Sequence, residues 1–262
     1  MAPSLTETLF ALDLGDRVVG VTRYCDYPPR VRELPEVGGY LDPSYESIVS
    51  LRPDLVVLMQ SHGEVERRLQ GLGIATLRTD QERLDGILAS IELIAERCGV
   101  PDRGRKLAGE ISARVARVQQ AVADRPPVRT LVSVGRPAAR GAVTSVWAAG
   151  PDTFYSDALR IAGGVNVVEE VGVAYPEIGR EGMLALDPDV VVEIVPGTGA
   201  AAVPPATVLG EWTTFKVLPA VASGRVEVLV GDAYVRPGPR IVELVEALAA
   251  TIRSDVAVRG GE

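Results

Sequence analysis

With a single histidine, two cysteines and only 5% aromatic residues, this 262-residue chain has little of what metal and covalent chemistry usually draw on. A high-affinity zinc or manganese site wants several His or Cys ligands, and His62 with the distant Cys25 and Cys98 does not supply them. Any Ser-His-Asp triad would have to use His62. No Gly-x-Gly-x-x-Gly opens a helix after a strand, no phosphate-cradling Gly-x-x-x-x-Gly-Lys is present, and there is no Gly-x-Ser-x-Gly elbow. These absences argue against an enzyme and for binding without covalent chemistry. Acidic residues outnumber basic ones, for a net charge of −8, which argues against a nucleic-acid partner. There is no apolar run of about 20 residues that would cross a membrane, and no signal-peptide pattern. The two cysteines read as separate buried thiols and leave the redox compartment open.

What the chain does have is a repeat. Ser4-Leu5-Thr6-Glu7-Thr8-Leu9-Phe10-Ala11-Leu12 runs through a Gly15 turn into Val18-Val19-Gly20-Val21. Phe154-Tyr155-Ser156-Asp157-Ala158-Leu159-Arg160-Ile161-Ala162 runs through Gly163-Gly164 into Val167-Val168. A second phrase follows each copy: Leu51-Arg52-Pro53-Asp54-Leu55-Val56-Val57 is matched by Leu186-Asp187-Pro188-Asp189-Val190-Val191-Val192. Two copies in the same order imply two similar lobes with a cleft between them, the usual place for a small ligand. A hydrophobic content of 47% is enough for a sizeable core in each.

Strands alternating with helices predict two α/β lobes with short, mostly parallel sheets. In the first lobe (1–101) the pattern predicts a helix over 4–12 opened by a Ser4–Glu7 capping box, a buried strand over 17–22 and a long loop over 23–43. A helix over 44–51, a strand over 54–58, a helix over 64–72, a strand over 74–77 and a helix over 84–97 follow. Residues 102–125 form a connecting helix, with Leu107, Ile111, Val115 and Val118 on one face. At 1.5 Å per residue its 102–123 core spans roughly 33 Å, and it reads as a rigid connector. The second lobe (126–262) is expected to run strand 130–134, loop 135–151, helix 153–162, strand 165–168, loop 170–179, helix 180–186 and strand 189–194. A Gly/Ala/Pro loop over 196–205, short helices over 209–215 and 219–223, a strand over 225–230 and a closing helix over 240–252 complete it, with a disordered tail after Ser254. The first lobe lacks a counterpart of strand 130–134. The expectation is a true start upstream of Met1, together with any export signal.

Aromatic residues recur in the loops at the carboxyl ends of the strands, where open α/β sheets bind ligands. Tyr24, Tyr27 and Tyr40 lie in the first lobe's long loop, Trp147 and Tyr175 in the corresponding loops of the second, and Tyr234 after a late strand. Flat rings with one polar end suit a large planar ligand, and the same rings also serve to staple their own loops down. His62 sits at the same edge, either as an axial ligand to a metal in a bound macrocycle or as a solvated loop histidine.

Taken together, Ala2-Pro3-Ser4-Leu5-Thr6-Glu7, Tyr24-Cys25-Asp26-Tyr27-Pro28-Pro29, Val37-Gly38-Gly39-Tyr40, Ala162-Gly163-Gly164-Val165-Asn166, Ala174-Tyr175-Pro176-Glu177-Ile178 and Arg236-Pro237-Gly238-Pro239-Arg240 resemble the periplasmic solute-binding proteins of ABC importers. The class is the one with a rigid interlobe helix, and the nearest family is that of the vitamin B12-binding proteins. The resemblance covers nearly the whole chain. It implies the class III periplasmic binding protein fold, with the first strand of lobe 1 missing. The implied function is capture of cobalamin or a related corrinoid in the interlobe cleft and delivery to an ABC permease, with no catalysis. The macrocycle is then transported ligand, not cofactor. The resemblance implies that Tyr40, Trp147 and Tyr175 line the cleft; with Tyr24, Tyr27, Tyr234 and His62 from the loops at the sheet edge, and Met59 able to pack on a macrocycle, they make up the expected ligand-binding set. Met59 and Gln60 stand where these proteins often have a tryptophan. Glu64 and Glu181 match the glutamates that dock such proteins onto permease arginines, with Glu66 as a neighbouring alternative. A monomer in the periplasm, or a lipoprotein at the cell surface, is the corresponding expectation.

Two other readings stay open on the residues. The same scaffold carries haem and ferric siderophores, and Arg23, Arg136 and Arg140 would suit the latter's anionic groups. A soluble tetrapyrrole-handling enzyme of chelatase type would use His62 and Glu177 as its metal-handling pair.

Overall fold

The computed structural model describes residues 1–137, 141–198 and 203–253. The chain divides into two compact units, Met1–Ser112 with Arg236–Pro239, and Ala113–Val235 with the residues from Arg240 onward. The short segment Arg236–Pro239 therefore belongs to the first unit although it lies late in the sequence.

The first unit opens with α1 (Pro3–Ala11), whose first residue is a proline with the φ a helix start needs. The predicted capping box is not formed. Ala2 is the cap residue, Ser4 lies inside the helix and its hydroxyl donates to Gln81 Oε1 at 2.7 Å. The stretch 17–22 is not a strand: it begins in a 3-10 turn (Gly15–Arg17) and pairs only through one bridge, Val21 with Glu36. Then come α2 (Tyr45–Leu51), β1 (Val56–Met59), α3 (Gly63–Gly71), β2 (Thr76–Thr79) and α4 (Leu84–Arg97). β1 and β2 pair in parallel, Val56 opposite Thr76 through Met59 opposite Thr79. Ile48, Val56, Leu58 and Leu69 form the core on this small sheet.

α5 (Pro101–Val122) carries the chain from the first unit into the second. There the elements are β3 (Val128–Gly135), β4 (Ser145–Ala148), α6 (Phe154–Ile161), β5 (Gly164–Asn166), β6 (Glu177–Gly179), α7 (Arg180–Leu186), β7 (Val190–Val195), α8 (Pro205–Trp212), α9 (Pro219–Ala222), β8 (Val226–Val230) and α10 (Ile241–Thr251). The sheet runs β6-β4-β3-β7-β8, with β5 also on β3. β3, β5, β7 and β8 are parallel, whereas β4 and β6 join antiparallel. Every residue of β7 is buried, as expected for a strand covered on both faces. Trp212, Phe215 and Met183 are fully enclosed in the core beside it.

β4 and β6 fall where the sequence predicts only loops. At four and three residues they are too short to show a period of two. The repeat shows in the backbone as well. α2 and α7 each end on a left-handed residue ahead of a proline, Arg52 (φ 47°) before Pro53 and Asp187 (φ 43°) before Pro188. Among the described residues no helix is long and apolar enough to cross a membrane. The tail after Ser254 and the middle of the 196–205 segment lie outside the described residues.

Candidate functional site

In the first unit the long loop after residue 22 carries Tyr24 and Tyr27, which expose 53% and 45% of their surface. Between them Asp26 accepts two hydrogen bonds from Arg236, at 2.5 and 3.0 Å, and Arg236 also reaches Glu7 Oε1 at 3.0 Å. Burial opposes the guanidinium charge, but the hydrogen bonds to Asp26 and Glu7 outweigh it and raise its pKa. Arg236 thus nails the tyrosine-bearing loop to α1. Neither Glu7 nor Asp26 announced this pairing, since more than 200 residues separate Asp26 from its partner; the signal was an arginine in a Pro-Gly-Pro turn.

Tyr40 is half-buried, with its ring 4.4 Å from that of His62 and its hydroxyl 2.8 Å from Ser61 Oγ. His62 is buried, not solvated, and both of its nitrogens are engaged within the unit. Nδ1 accepts from the Met59 N–H at 3.2 Å, which leaves the proton on Nε2, 3.0 Å from the Tyr40 carbonyl. Burial first, and the nearby Met1 amine second, lower its pKa, so the ring is neutral. His62 therefore holds the end of β1 to the Tyr40 loop and, while these bonds stand, has no nitrogen to offer a metal. Met59 is half-buried at the carboxyl end of β1 and Gln60 is exposed.

In the second unit Trp147 lies on β4, not in a loop, and is 42% exposed. A bulge between Ser133 and Gly135 sets Gly135 opposite Trp147. A Cβ at Gly135 would lie 3.2 Å from the indole, so the absent side chain lets one face of the ring rest on backbone. Tyr175 is 46% exposed and meets the buried Tyr155 edge-on at 6.5 Å. Its loop is laid on Gly150, whose N–H donates to Ala174 O at 2.8 Å. Any Cβ there would strike Val173 O at 2.0 Å. Tyr234 is half-buried in a 3-10 turn (Asp232–Val235) against Gly231.

The arginines are less available than their sequence positions imply. Arg136, 11% exposed, is bound by Glu193 and Glu211 at 2.6 Å each, and Glu193 also accepts from Trp212 Nε1 at 2.5 Å. Arg23 is paired with Asp42 at 2.9 Å and lies near the Tyr24 ring. Arg140 lies outside the described residues. Glu177 accepts from the Ser145 hydroxyl at 2.6 Å, and no group of three or more His, Cys, Asp and Glu able to hold a metal occurs among the described residues. Cys25 is buried between the Thr6 and Thr22 hydroxyls, but Cys98 is only half-buried; both are free thiols. Glu64 and Glu181 are both exposed and occupy the same place, second residue of α3 and of α7. Glu66 instead pairs with Arg78 at 2.9 Å.

Matched α/β units that each present exposed rings on a stiff backing are the build of a protein that holds a solute. The chain belongs to the periplasmic binding protein family, whose model matches residues 1–232. It is 27% identical over 255 residues to a vitamin B12-binding protein of Vibrio cholerae, covering 97% of this chain and 87% of the relative. Among solved structures, the periplasmic heme-binding protein BhuT in complex with two hemes superposes with a TM-score of 0.82 at 28% identity, over 98% of this chain and 97% of that one. The periplasmic vitamin B12-binding protein BtuF of Vibrio cholerae superposes with a TM-score of 0.80 at 26% identity, over 97% and 95%.

Proposed function

We propose that this protein captures cobalamin or a related corrinoid outside the cytoplasmic membrane and hands it, chemically unchanged, to an ABC permease. The observation that carries this is the set of exposed rings: Tyr24, Tyr27, Trp147 and Tyr175 all present more than 40% of their surface in a chain with few aromatics. Exposed rings anchored from behind bind a flat apolar ligand with little further loss of side-chain freedom. The vitamin B12-binding relatives favour a corrinoid; the haem-binding neighbour makes haem the second reading. Tyr40, Met59, His62 and Tyr234 are less exposed than these rings, and His62 is engaged with Met59 and the Tyr40 carbonyl. The engagement of Arg136 in a buried ion cluster weighs against an anionic siderophore.

The test is a visible-spectrum titration with aquocobalamin, with hemin and a ferric siderophore run in parallel. Saturable one-to-one binding of cobalamin alone supports the proposal, and binding of hemin alone reassigns the ligand. Within that assay, His62→Ala is expected to destabilise the fold by ~1–3 kcal/mol, since it removes partners from the Met59 N–H and the Tyr40 carbonyl. The bound macrocycle's bands should stay unchanged; a band shift present in the parent and lost in the variant would make His62 a metal ligand.

Glu64 and Glu181 are proposed to meet permease arginines. The double variant Glu64→Arg, Glu181→Arg is expected to keep solution affinity for the ligand and to reduce ligand-stimulated ATPase of the reconstituted transporter by about tenfold or more, because rim charges govern encounter and register. Unaltered stimulation would sink that assignment.

A further inference from the structure

The β4–β6 end of the second unit's sheet presents a carboxylate between two exposed rings. Trp147 on β4 stands directly opposite Glu177 on β6, and Ser145 stands opposite Gly179. Directly opposed residues of an antiparallel pair carry their Cβ atoms about 5 Å apart on one face. The ladder continues ahead of β6, where the Ala148 N–H donates to Pro176 O at 2.9 Å and the Gly150 N–H to Ala174 O at 2.8 Å. Tyr175 therefore lies two extended residues before Glu177, and the period of a strand puts both on the face of Trp147. Trp147, Tyr175 and Glu177 are all exposed, whereas Val146 and Ile178, paired on the opposite face, pack in the core.

The carboxylate is held in place but its charge is not matched. Ser145, two residues before Trp147 and on the same face, donates its hydroxyl to Glu177 Oε1 at 2.6 Å. One such bond leaves most of a carboxylate's acceptor capacity open. Among the described residues no basic side chain forms an ion pair with Glu177. The arginines of the neighbouring segments are committed elsewhere. Arg136 is bound by Glu193 and Glu211, and the Arg180 guanidinium lies 4.1 Å over the ring of Phe215, which belongs to the core cluster of Val146. Gly135, opposite Trp147 on β3, and Gly179, opposite Ser145 on β6, add no side chain to this face.

An anchored, unmatched carboxylate beside two rings fits a ligand whose rim carries N–H donors and opposes one whose rim carries carboxylates. We propose that Glu177 sets the ligand class in the second unit: it accepts hydrogen bonds from primary carboxamides at the rim of a flat ligand lying on Trp147 and Tyr175, and it turns away rims that carry carboxylates. This rests on the proposed role of the two rings in ligand binding. The corrin ring of cobalamin carries carboxamides along its periphery and haem carries propionates, so Glu177 separates two ligands that the rings by themselves do not.

The experiment measures equilibrium binding of aquocobalamin, of its monocarboxylates and of hemin. Each monocarboxylate is made by hydrolysing one peripheral carboxamide and is purified as a single isomer. The readout is the ratio of the Kd for a monocarboxylate to the Kd for aquocobalamin in the same variant, which a general loss of binding leaves unmoved. In the parent at least one isomer is expected to bind about tenfold or more weaker than aquocobalamin. Glu177→Gln keeps an oxygen for the Ser145 hydroxyl and should abolish most of that difference. Glu177→Lys should invert it and should tighten hemin binding by about tenfold or more. Ser145→Ala leaves the carboxylate unanchored and should lower the ratio partway. Glu96→Gln removes the same charge from an exposed site on α4 in the first unit and should leave the ratio at its parent value. Cobalamin binding with equal affinity for every monocarboxylate, a ratio that Glu177→Gln does not move, or one that Glu96→Gln moves as far, would each overturn this inference while the corrinoid reading stands. Binding of hemin and not of cobalamin by the parent would overturn the corrinoid reading; the hemin arm then still tests Glu177, and no gain in Glu177→Lys would overturn the inference as well.

Discussion

Arg136→Ala is expected to lower the melting temperature by roughly 10 °C, the consequence of ~3–5 kcal/mol lost when one partner of a buried ion cluster is removed. The Glu193 side chain is 2% exposed, and Arg136 bridges it to Glu211 with 2.6 Å contacts to both. Burial already raises the Glu193 pKa, against the hydrogen bond from Trp212 and the charge of Arg136, which lower it. A carboxyl whose folded pKa lies above its unfolded one costs stability wherever it is ionised, and that cost is relieved as pH falls through the folded value. Removing Arg136 deletes a contribution that favours the charge, so the deficit of the variant should be greatest near neutral pH and should shrink as pH drops toward about 4.5. Arg136→Lys keeps a charge without the planar fork and should fall between the two. Calorimetric scans across pH decide the matter. A loss of only about 2 °C, or one independent of pH, would mean the cluster is worth no more than an exposed pair.

Trp147→Ala and Tyr175→Ala are each expected to weaken aquocobalamin binding by about 10–50-fold, the range for truncating a central aromatic anchor. Both rings are held from behind, Trp147 on the Gly135 backbone and Tyr175 on the Tyr155 edge, so in the proposed site little further ordering is needed on binding. Tyr155→Phe is the control. Its phenol is enclosed and burial pushes its pKa far above the ordinary tyrosine value, so it stays neutral; removing it keeps the edge contact and should change affinity less than about threefold. Calorimetric titration of the three variants gives the comparison. Unchanged affinity for both truncations would remove the rings from the binding surface and leave them as loop staples.

Much of the architecture was legible as pattern. The two copies of Leu-x-Pro-Asp followed by a valine run located α2 and β1 in one unit and α7 and β7 in the other, because a helix stop before proline and a doubly buried strand both leave local marks. Helix α4 was placed to the residue, since its apolar positions keep the helical period over four turns. The aromatic candidates were legible by type, whereas their exposure, high for Tyr24, Tyr27, Trp147 and Tyr175, is given only by the fold.

What the sequence by itself determined, then, is the repeated α/β plan and the residue types available to a ligand, for these depend on periods and turns that span a few residues. The tertiary structure alone decided which side chains are spent on the fold. His62 is buried with both nitrogens committed, Arg136 is locked between two glutamates, Arg236 clasps Asp26 and Glu7, and Trp147 stands on a strand too short to leave a periodic trace. Apart from the Met59–His62 bond, the partners of His62, Arg136 and Arg236 lie far from them in the chain, and the energy that commits these groups, the cost of burying a polar group without a partner, has no local signature in a sequence.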